Sequence, residues 1–265
     1  MDIRFLALVA LAAACLPMAH AAPAKKKLLL VSHTAGFRHE EGIAVGEKTL
    51  IEIGERTGIY TLEFCRNAED VKRMLTPQYL DANKFDGVIF NNTTGDIGIP
   101  DLKAFLEWLK GGKAFIGMHA ATDTYHGNSD YLDLIGDEFL THGRQCTIEP
   151  LVQDPKHPAT EKWPAGTKIL EEVYIFKHND RSKVHVLLYL DKNPDDGRPV
   201  ANQPGDCLLS WCKMYGKGRV FYTAFGHRGD VWENEVIRQH MLGGIRWALG
   251  LAKGDAKPGP LKPAR

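Results

Sequence analysis

The sequence lacks an excess of charge of either sign, because 33 Lys and Arg residues are matched by 33 Asp and Glu residues. Its basic residues do not cluster beyond the run Lys25, Lys26 and Lys27. Binding of DNA or RNA requires a concentrated basic face, so nucleic acid is not expected as a partner. The hydrophobic fraction of 44% and the charged fraction of 25% are typical of a globular chain and exclude a disordered or collagen-like one.

The sequence also lacks an apolar run long enough to span a membrane. The most apolar segment covers residues 5–16, which is shorter than the roughly 20 residues of a membrane-spanning helix. Arg4 precedes this segment, and the small residues Ala19 and Ala21 follow it at the positions that a signal peptidase recognises. Residues 1–21 are therefore predicted to be a signal peptide cleaved near Ala21, and the mature protein to be periplasmic or secreted. A lipid anchor on Cys15 is the alternative, although the large aliphatic residue expected before such a cysteine is absent.

Cysteine motifs are missing from the mature chain. Cys65, Cys146, Cys207 and Cys212 have no spacing typical of a metal or redox site. Cys207 and Cys212 lie five residues apart in a predicted strand, which places their side chains on opposite faces. Buried free thiols are the favoured interpretation, and disulfides between other pairs stay open.

The order of apolar runs predicts an α/β fold. In the first half, short strands alternate with amphipathic helices, which is typical of a parallel sheet with right-handed crossovers. Further strand-like runs follow residue 145, and a helix closes the domain. We predict one domain over residues 27–250, built as a parallel sheet with helices on both faces and β-rich extensions in the C-terminal half. Residues 251–265, rich in Pro, Lys and Gly, are predicted to be a disordered tail. The predicted strands are 27–33, 60–64, 85–90, 113–118, 147–152, 169–176, 184–190, 207–211 and 219–225, and the predicted helices are 41–56, 100–110 and 234–249.

Histidines are concentrated in the loops that follow the predicted strands. In open α/β sheets, ligands bind beyond the carboxyl ends of the strands, where these loops converge. Five of the 11 histidines lie in three such loops, and this clustering is the strongest functional signal in the sequence. They are His33, His39, His119, His126 and His227.

His119 occupies a segment with the form of a nucleophile elbow, Gly117-Met118-His119-Ala120-Ala121. An imidazole does not form a durable acyl-enzyme, so acid/base catalysis, ligand hydrogen bonding or metal ligation is expected there. His227 ends a predicted strand and is the candidate for a second acid or base. Asp123 follows His119 by four residues and is close enough to orient its imidazole.

No cofactor is predicted as required, but a divalent metal such as zinc stays an open alternative. Zinc takes three or four His, Asp or Glu ligands, and converging loops could supply them. The sequence lacks a local pair such as His-x-x-x-His on a helix, so no metal ligand is assigned. The residues that could supply such ligands are His33, His39, His119, His227 and Asp123.

Four segments resemble the ThuA-like (trehalose utilisation) family: residues 37–39, 117–123, 171–174 and 215–227. The last is long and specific, and the resemblance extends over about 27–249. It implies a flavodoxin-like architecture similar to class I glutamine amidotransferases. It also implies a role in bacterial use of trehalose and other glycosides, with oxidised 3-keto sugars as one candidate form. A departure at Asp206-Cys207-Leu208, where many relatives carry a His-Pro or Tyr-Pro pair, puts the sugar specificity in doubt.

The resemblance implies a substrate class, a small carbohydrate, more than a mechanism. Together with the loop histidines it favours an enzyme, with hydrolase, lyase and isomerase chemistry all open. His119 and His227 would be the acid/base pair, and Asp123 would orient an imidazole. A sugar oxidoreductase that supplies the substrate and a homo-oligomeric assembly are further expectations. Glutamine amidotransfer is excluded, because the elbow holds His119 where that reaction needs a cysteine thiolate. A non-catalytic carbohydrate-binding module is the alternative. The expected substrate contacts are His33, Arg38, His39, His142, Glu172 and Tyr174.

Overall fold

A computed structural model describes residues 24–259, so the predicted signal peptide lies outside the described residues. The first half alternates strands with helices, as the sequence predicts. Its elements are β1 (Lys26–Val31), α1 (Glu40–Thr57), β2 (Tyr60–Cys65), α2 (Ala68–Met74), α3 (Pro77–Ala82), β3 (Gly87–Asn91), α4 (Leu102–Lys110), β4 (Ala114–Met118), a 3₁₀ helix (His119–Asp123) and α5 (Ser129–Ile135).

The second half is dominated by strands and closes with two helices. Its elements are β5 (Phe139–His142), β6 (Cys146–Ile148), β7 (Leu151–Val152), β8 (Ile169–Glu171), β9 (Tyr174–Phe176), β10 (His185–Lys192), β11 (Pro204–Tyr215), β12 (Gly218–Thr223), α6 (Gly229–Glu233) and α7 (Glu235–Ala248).

Eight strands form the main sheet in the order β2-β1-β3-β4-β12-β11-β10-β7. The strands from β2 to β12 are mutually parallel, whereas β11, β10 and β7 continue the sheet in antiparallel fashion. The parallel part has the flavodoxin-like order 2-1-3-4-5, with β12 as its fifth strand. The predicted α/β class is therefore confirmed, and the sheet is mixed because the β-rich half extends its edge.

The central strands are apolar in sequence because they are buried. β3 and β4 are buried along their whole length, since helices cover both faces of the sheet. Two apolar clusters, one on each face, form the core. Helices α1 and α7 contribute Leu50 and Ile245 to one cluster, and α4 and α5 contribute Phe105 and Leu134 to the other.

Two long strand-like runs are each divided in the structure. The run 147–152 becomes β6 and β7, and the run 169–176 becomes β8 and β9. β6 pairs with β8 and β5 pairs with β9 in two small antiparallel sheets. The second division leaves Glu172 and Val173 between strands, so Glu172 and Tyr174 do not share a face through strand alternation.

The described part of the predicted tail is packed against the domain. The carbonyl of Lys257 lies 2.8 Å from Nδ1 of His185, and Trp247 Nε1 donates to the carbonyl of Gly254. Gly259 also exchanges backbone hydrogen bonds with the start of β10. Residues 251–259 are therefore ordered, in contrast to the predicted disorder, and 260–265 lie outside the described residues.

The four mature cysteines are free and buried. Across residues 24–259, no helix combines the length and the apolarity needed to cross a membrane.

Candidate functional site

The candidate site lies where the parallel strands β1, β4 and β12 end. The three loops after these strands carry His39, His119 and His227, and their rings pack edge-on. Ring centroids are 5.0 Å apart for His39 and His119, and 5.2 Å apart for His39 and His227. Three of the five loop histidines singled out in the sequence therefore lie together at the carboxyl edge of the sheet.

His119 occupies the turn between β4 and the 3₁₀ helix with a φ of 44°, a left-handed conformation that is unfavourable for a side-chain-bearing residue. Its side chain is fully buried, and Nδ1 lies 2.7 Å from the carbonyl oxygen of Ala224. Because a carbonyl only accepts, Nδ1 carries the proton and donates. The opposite nitrogen, Nε2, faces Glu172 Oε2 at 3.5 Å. Burial lowers the pKa of His119, so the imidazole is held neutral.

Glu172 is at the centre of the cluster, in the break between β8 and β9. Its Oε2 lies 3.1 Å from His227 Nδ1 and 4.0 Å from His39 Nε2. Its Oε1 lies 3.2 Å from Nδ1 of His142, which is half-exposed. Burial opposes ionisation of Glu172, but its contacts with His119 and His227 outweigh burial and lower the carboxyl pKa. The site therefore holds one carboxylate surrounded by imidazoles.

The rings of Tyr174 and His39 pack against His119. The Tyr174 ring lies over His119 with centroids 4.1 Å apart. His39 precedes α1 and is buried, and burial together with the neighbouring His119 and His227 lowers its pKa to about 3. A neutral His39 offers a lone pair rather than a positive charge to the cluster.

Glu171 is a site residue that the sequence analysis missed. Its Oε1 accepts hydrogen bonds from the backbone N–H groups of Gly226 and His227, at 3.3 and 2.8 Å. Burial raises the pKa of Glu171 well above its usual range, although the two backbone N–H groups oppose this shift. Glu171 positions the loop after β12. In the sequence, the feature that indicates Glu171 is its position in a pair of adjacent glutamates within an apolar segment.

Four side chains converge closely enough to hold a metal ion. One donor atom from each of His39, His119, Glu172 and His227 lies within 4.8 Å of the others. Within residues 24–259, His39 Nδ1, His119 Nε2 and His227 Nδ1 are buried nitrogens with no hydrogen-bond partner. Two of these nitrogens, His119 Nε2 and His227 Nδ1, face Glu172 Oε2. Buried polar atoms are normally partnered, so this arrangement needs a chemical reason.

Asp123 is not the group that orients His119. Its carboxylate contacts Nε2 of His126, whose Nδ1 lies 3.7 Å from Glu138 Oε1. Burial raises the pKa of Asp123, although His126 opposes this shift. The carbonyl of Ala224 orients the His119 ring instead, and because the acceptor is a backbone group it leaves no trace in the sequence.

His33 and Arg38 lie outside the cluster. Arg38 donates to the carbonyl of Ser32 and to Glu40, both at 3.0 Å. His33 is partly exposed, and burial is the main factor that lowers its pKa. Of the five metal-ligand candidates from sequence, His33 and Asp123 are therefore not in the converging group, and Glu172 provides the carboxylate.

The rim of the site exposes an aromatic ring. Phe37 is 69% exposed, and its ring centroid is 4.8 Å from that of His39. Large exposed apolar side chains beside a polar cluster are typical of binding sites.

The sheet order and this edge define an α/β protein of flavodoxin-like topology with a histidine–carboxylate site at the carboxyl ends of its strands. The chain belongs to the ThuA family, described as trehalose utilisation, whose family model matches residues 27–248. No curated protein matches the chain.

Solved structures of similar fold include ThuA-like proteins. One from Bacteroides uniformis ATCC 8492 is 19% identical with a TM-score of 0.63, covering 87% of this chain and 94% of that protein. One from Parabacteroides merdae ATCC 43184 is 18% identical with a TM-score of 0.65, covering 85% and 90%. A cytoplasmic protein from Salmonella typhimurium LT2 is 13% identical with a TM-score of 0.54, covering 84% and 99%. These similarities establish the fold.

Proposed function

We propose that this chain is an exported enzyme that acts on trehalose, another glycoside or a keto-sugar derived from one. The observation that carries the proposal is the convergence of three imidazoles and one ionised carboxylate at the ligand-binding edge of the sheet. Family membership supports a role in trehalose utilisation.

The chemistry of the cluster suits a neutral, hydroxyl-rich substrate. Glu172 can accept a hydrogen bond or a proton, and the imidazoles can polarise a hydroxyl or carbonyl oxygen. His227 and His142 retain exposed surface, so a ligand can reach this centre from the rim. A cluster without Lys or Arg among its four converging members does not favour a phosphorylated substrate.

The rim supplies the remaining contacts that sugar binding requires. The exposed Phe37 ring offers a flat apolar surface on which the C–H face of a pyranose would pack. Arg38 is adjacent in sequence and keeps part of its guanidinium surface exposed for hydroxyl groups. Asp123, paired with His126, is the candidate for proton exchange at the rim. Binding of apolar and hydroxyl surfaces together is the pattern of a carbohydrate site.

Glutamine amidotransfer does not fit this site. The elbow residue is His119, and the converging group contains no cysteine among the described residues. Burial raises the pKa of Cys65 to about 12 and that of Cys207 to about 11, which disfavours a thiolate nucleophile.

The test is NMR of the purified protein with trehalose, other disaccharides and their 3-keto derivatives. His119→Ala is the site variant, and His178→Ala is the matched control because His178 is exposed and lies outside the cluster. We expect a sugar to be consumed by the wild type and by His178→Ala, and not by His119→Ala.

Two outcomes would overturn the proposed enzyme. Substrate loss that persists in His119→Ala would place the chemistry elsewhere. Saturable line broadening of a sugar without turnover, abolished in His119→Ala, would instead identify a carbohydrate-binding module. A keto-sugar substrate would in turn imply an oxidoreductase that supplies it.

A further inference from the structure

We propose that His39, His119, Glu172 and His227 form a binding site for one divalent transition-metal ion of the zinc type. The inference deepens the proposed function by naming a cofactor for the same centre, and it rests on that function only for the ion's role in turnover. The site itself is argued from the positions of nitrogen and oxygen atoms.

The first argument is the hydrogen-bond pattern of His119. Its Nδ1 donates to Ala224, so in the neutral ring the lone pair is on Nε2. That lone pair faces an oxygen of Glu172 at 3.5 Å, and Nε2 has no hydrogen-bond partner among residues 24–259. Two acceptors that face each other in a fully buried position repel, and a cation between them converts this repulsion into ligation.

The second argument is distance. Four donors placed about 2.0–2.1 Å from a tetrahedral zinc ion lie roughly 3.4 Å from one another. Glu172 Oε2 lies 3.5 Å from His119 Nε2, 3.1 Å from His227 Nδ1 and 4.0 Å from His39 Nε2. The three separations lie on either side of the edge length of such a tetrahedron, and those at 3.5 and 4.0 Å exceed ordinary hydrogen-bond distances.

The third argument is the support around the ligands. Metal-binding imidazoles usually donate their other N–H to a carbonyl or carboxylate, as His119 does to Ala224. Glu172 turns Oε2 toward the three imidazoles and Oε1 toward His142. Glu171 holds the backbone that carries His227. Each of these contacts restricts the orientation of a side chain that would bind the metal.

The ligand set selects the class of ion. Imidazole nitrogens with one carboxylate suit zinc and its neighbours in the first transition row, whereas Ca²⁺ and Mg²⁺ prefer oxygen donors. A bound ion would supply Lewis acidity toward a substrate oxygen. An imidazolium–carboxylate pair is the competing explanation, and it predicts the same cluster without metal.

The test measures metal binding directly. The purified protein is stripped with a chelator, dialysed and titrated with Zn²⁺ and Co²⁺ by calorimetry, and the bound metal is counted by mass spectrometry. Visible absorption of the Co²⁺ form reports nitrogen ligation in a low-coordinate site. Mg²⁺ and Ca²⁺ serve as comparison ions. The variants are Glu172→Gln and His227→Gln, which preserve side-chain size, and His33→Ala is the control from the loop that also carries His39.

We expect the wild type and His33→Ala to bind one ion with similar affinity, and both site variants to bind at least roughly 100-fold more weakly. Circular dichroism of each variant establishes that it is folded. The proposal is overturned if the folded wild type binds no Zn²⁺ or Co²⁺, or if the site variants bind as tightly as the wild type.

Sugar turnover, measured on the same stripped and reloaded samples, separates this proposal from the proposed function. Metal binding without turnover would support the site and contradict the enzyme. Turnover that persists in the metal-free protein would support the enzyme and contradict the cofactor.

Discussion

Two sets of buried histidines in this protein differ in how their nitrogens are used. His157, His185 and His240 have a contact for every ring nitrogen. His240, for example, contacts the carbonyl of Ala159 at 2.8 Å and the Thr223 hydroxyl at 3.1 Å. In the site, His119 and His227 each leave a buried nitrogen unpartnered within the described chain.

The comparison separates histidines whose burial is satisfied by the fold from those of the candidate site. A buried polar group without a partner lowers stability, so several of them together indicate a site for binding or chemistry. His185 pairs with Asp154 at 2.9 Å, so the cost of burying its imidazole is offset within the fold. Burial alone does not distinguish the two sets, whereas unpartnered nitrogens that converge do.

The largest expected effect comes from replacing one histidine of each set. His227→Gln should reduce kcat/KM on the active sugar by roughly 100-fold or more, since it removes a group that the proposed function places against the substrate. His185→Gln should retain turnover but lower the free energy of unfolding by about 1–3 kcal/mol through lost hydrogen bonds. Steady-state kinetics and urea unfolding of both variants check this. Equal losses of turnover in the two would remove the distinction.

A smaller effect is the pH dependence of stability that arises from the buried histidines outside the site. Burial lowers the pKa of His157 and His240 to about 4, so both stay neutral in the folded chain. Unfolded histidines titrate near 6.5, and the unfolded chain therefore takes up protons first as the pH falls. Their stabilising contribution is complete above pH 6.5 and declines toward pH 4, on the order of 3 kcal/mol for each histidine.

Urea unfolding between pH 7 and pH 4 measures this dependence. His240→Gln should show a shallower decline than the wild type, because one of the histidines that take up a proton on unfolding is absent. A decline that is unchanged in His240→Gln would assign the pH dependence to other groups, such as His39, whose pKa is lowered to about 3. Glu171 contributes a pH dependence of the opposite sign. Because its pKa is raised in the folded chain, its contribution to the free energy of unfolding decreases as the pH increases.

The smallest effect is expected at the rim of the site. Phe37→Ala should raise KM about tenfold and change kcat little, because the ring contributes to ground-state and transition-state binding alike. Met214→Ala is the control, since Met214 is also exposed but lies on β11, paired with Arg219 near the start of β12. A change in kcat without a change in KM would contradict a binding role for Phe37.

Much of the fold is predictable from local patterns. The continuous apolar runs that became β1, β3 and β4 reflect strands covered on both faces, and the helical spacing of apolar residues in α1 and α7 reflects one buried side. Short helices such as α2 and α3, with only seven and six residues, carry too little periodicity to be detected. The antiparallel continuation through β11 and β10 depends on long-range pairing.

The same distinction applies to the candidate site. His39, His119 and His227 follow strands, and the geometry of parallel sheets brings such loops together, so their convergence is predictable. Glu172 was expected as a substrate contact on a strand shared with Tyr174, but the break after β8 brings it to the centre instead. The break depends on β8 and β9 pairing with different partners, β6 and β5.

The sequence by itself determined the α/β class, the edge of the sheet that holds the candidate site and the histidines found there, because these follow from hydrophobic patterning and strand order. The tertiary structure alone decided that Ala224 orients His119 and that Glu172 joins the imidazoles. The physical reason is that these contacts join atoms far apart in the chain or involve backbone carbonyls, which every residue carries and no sequence motif marks.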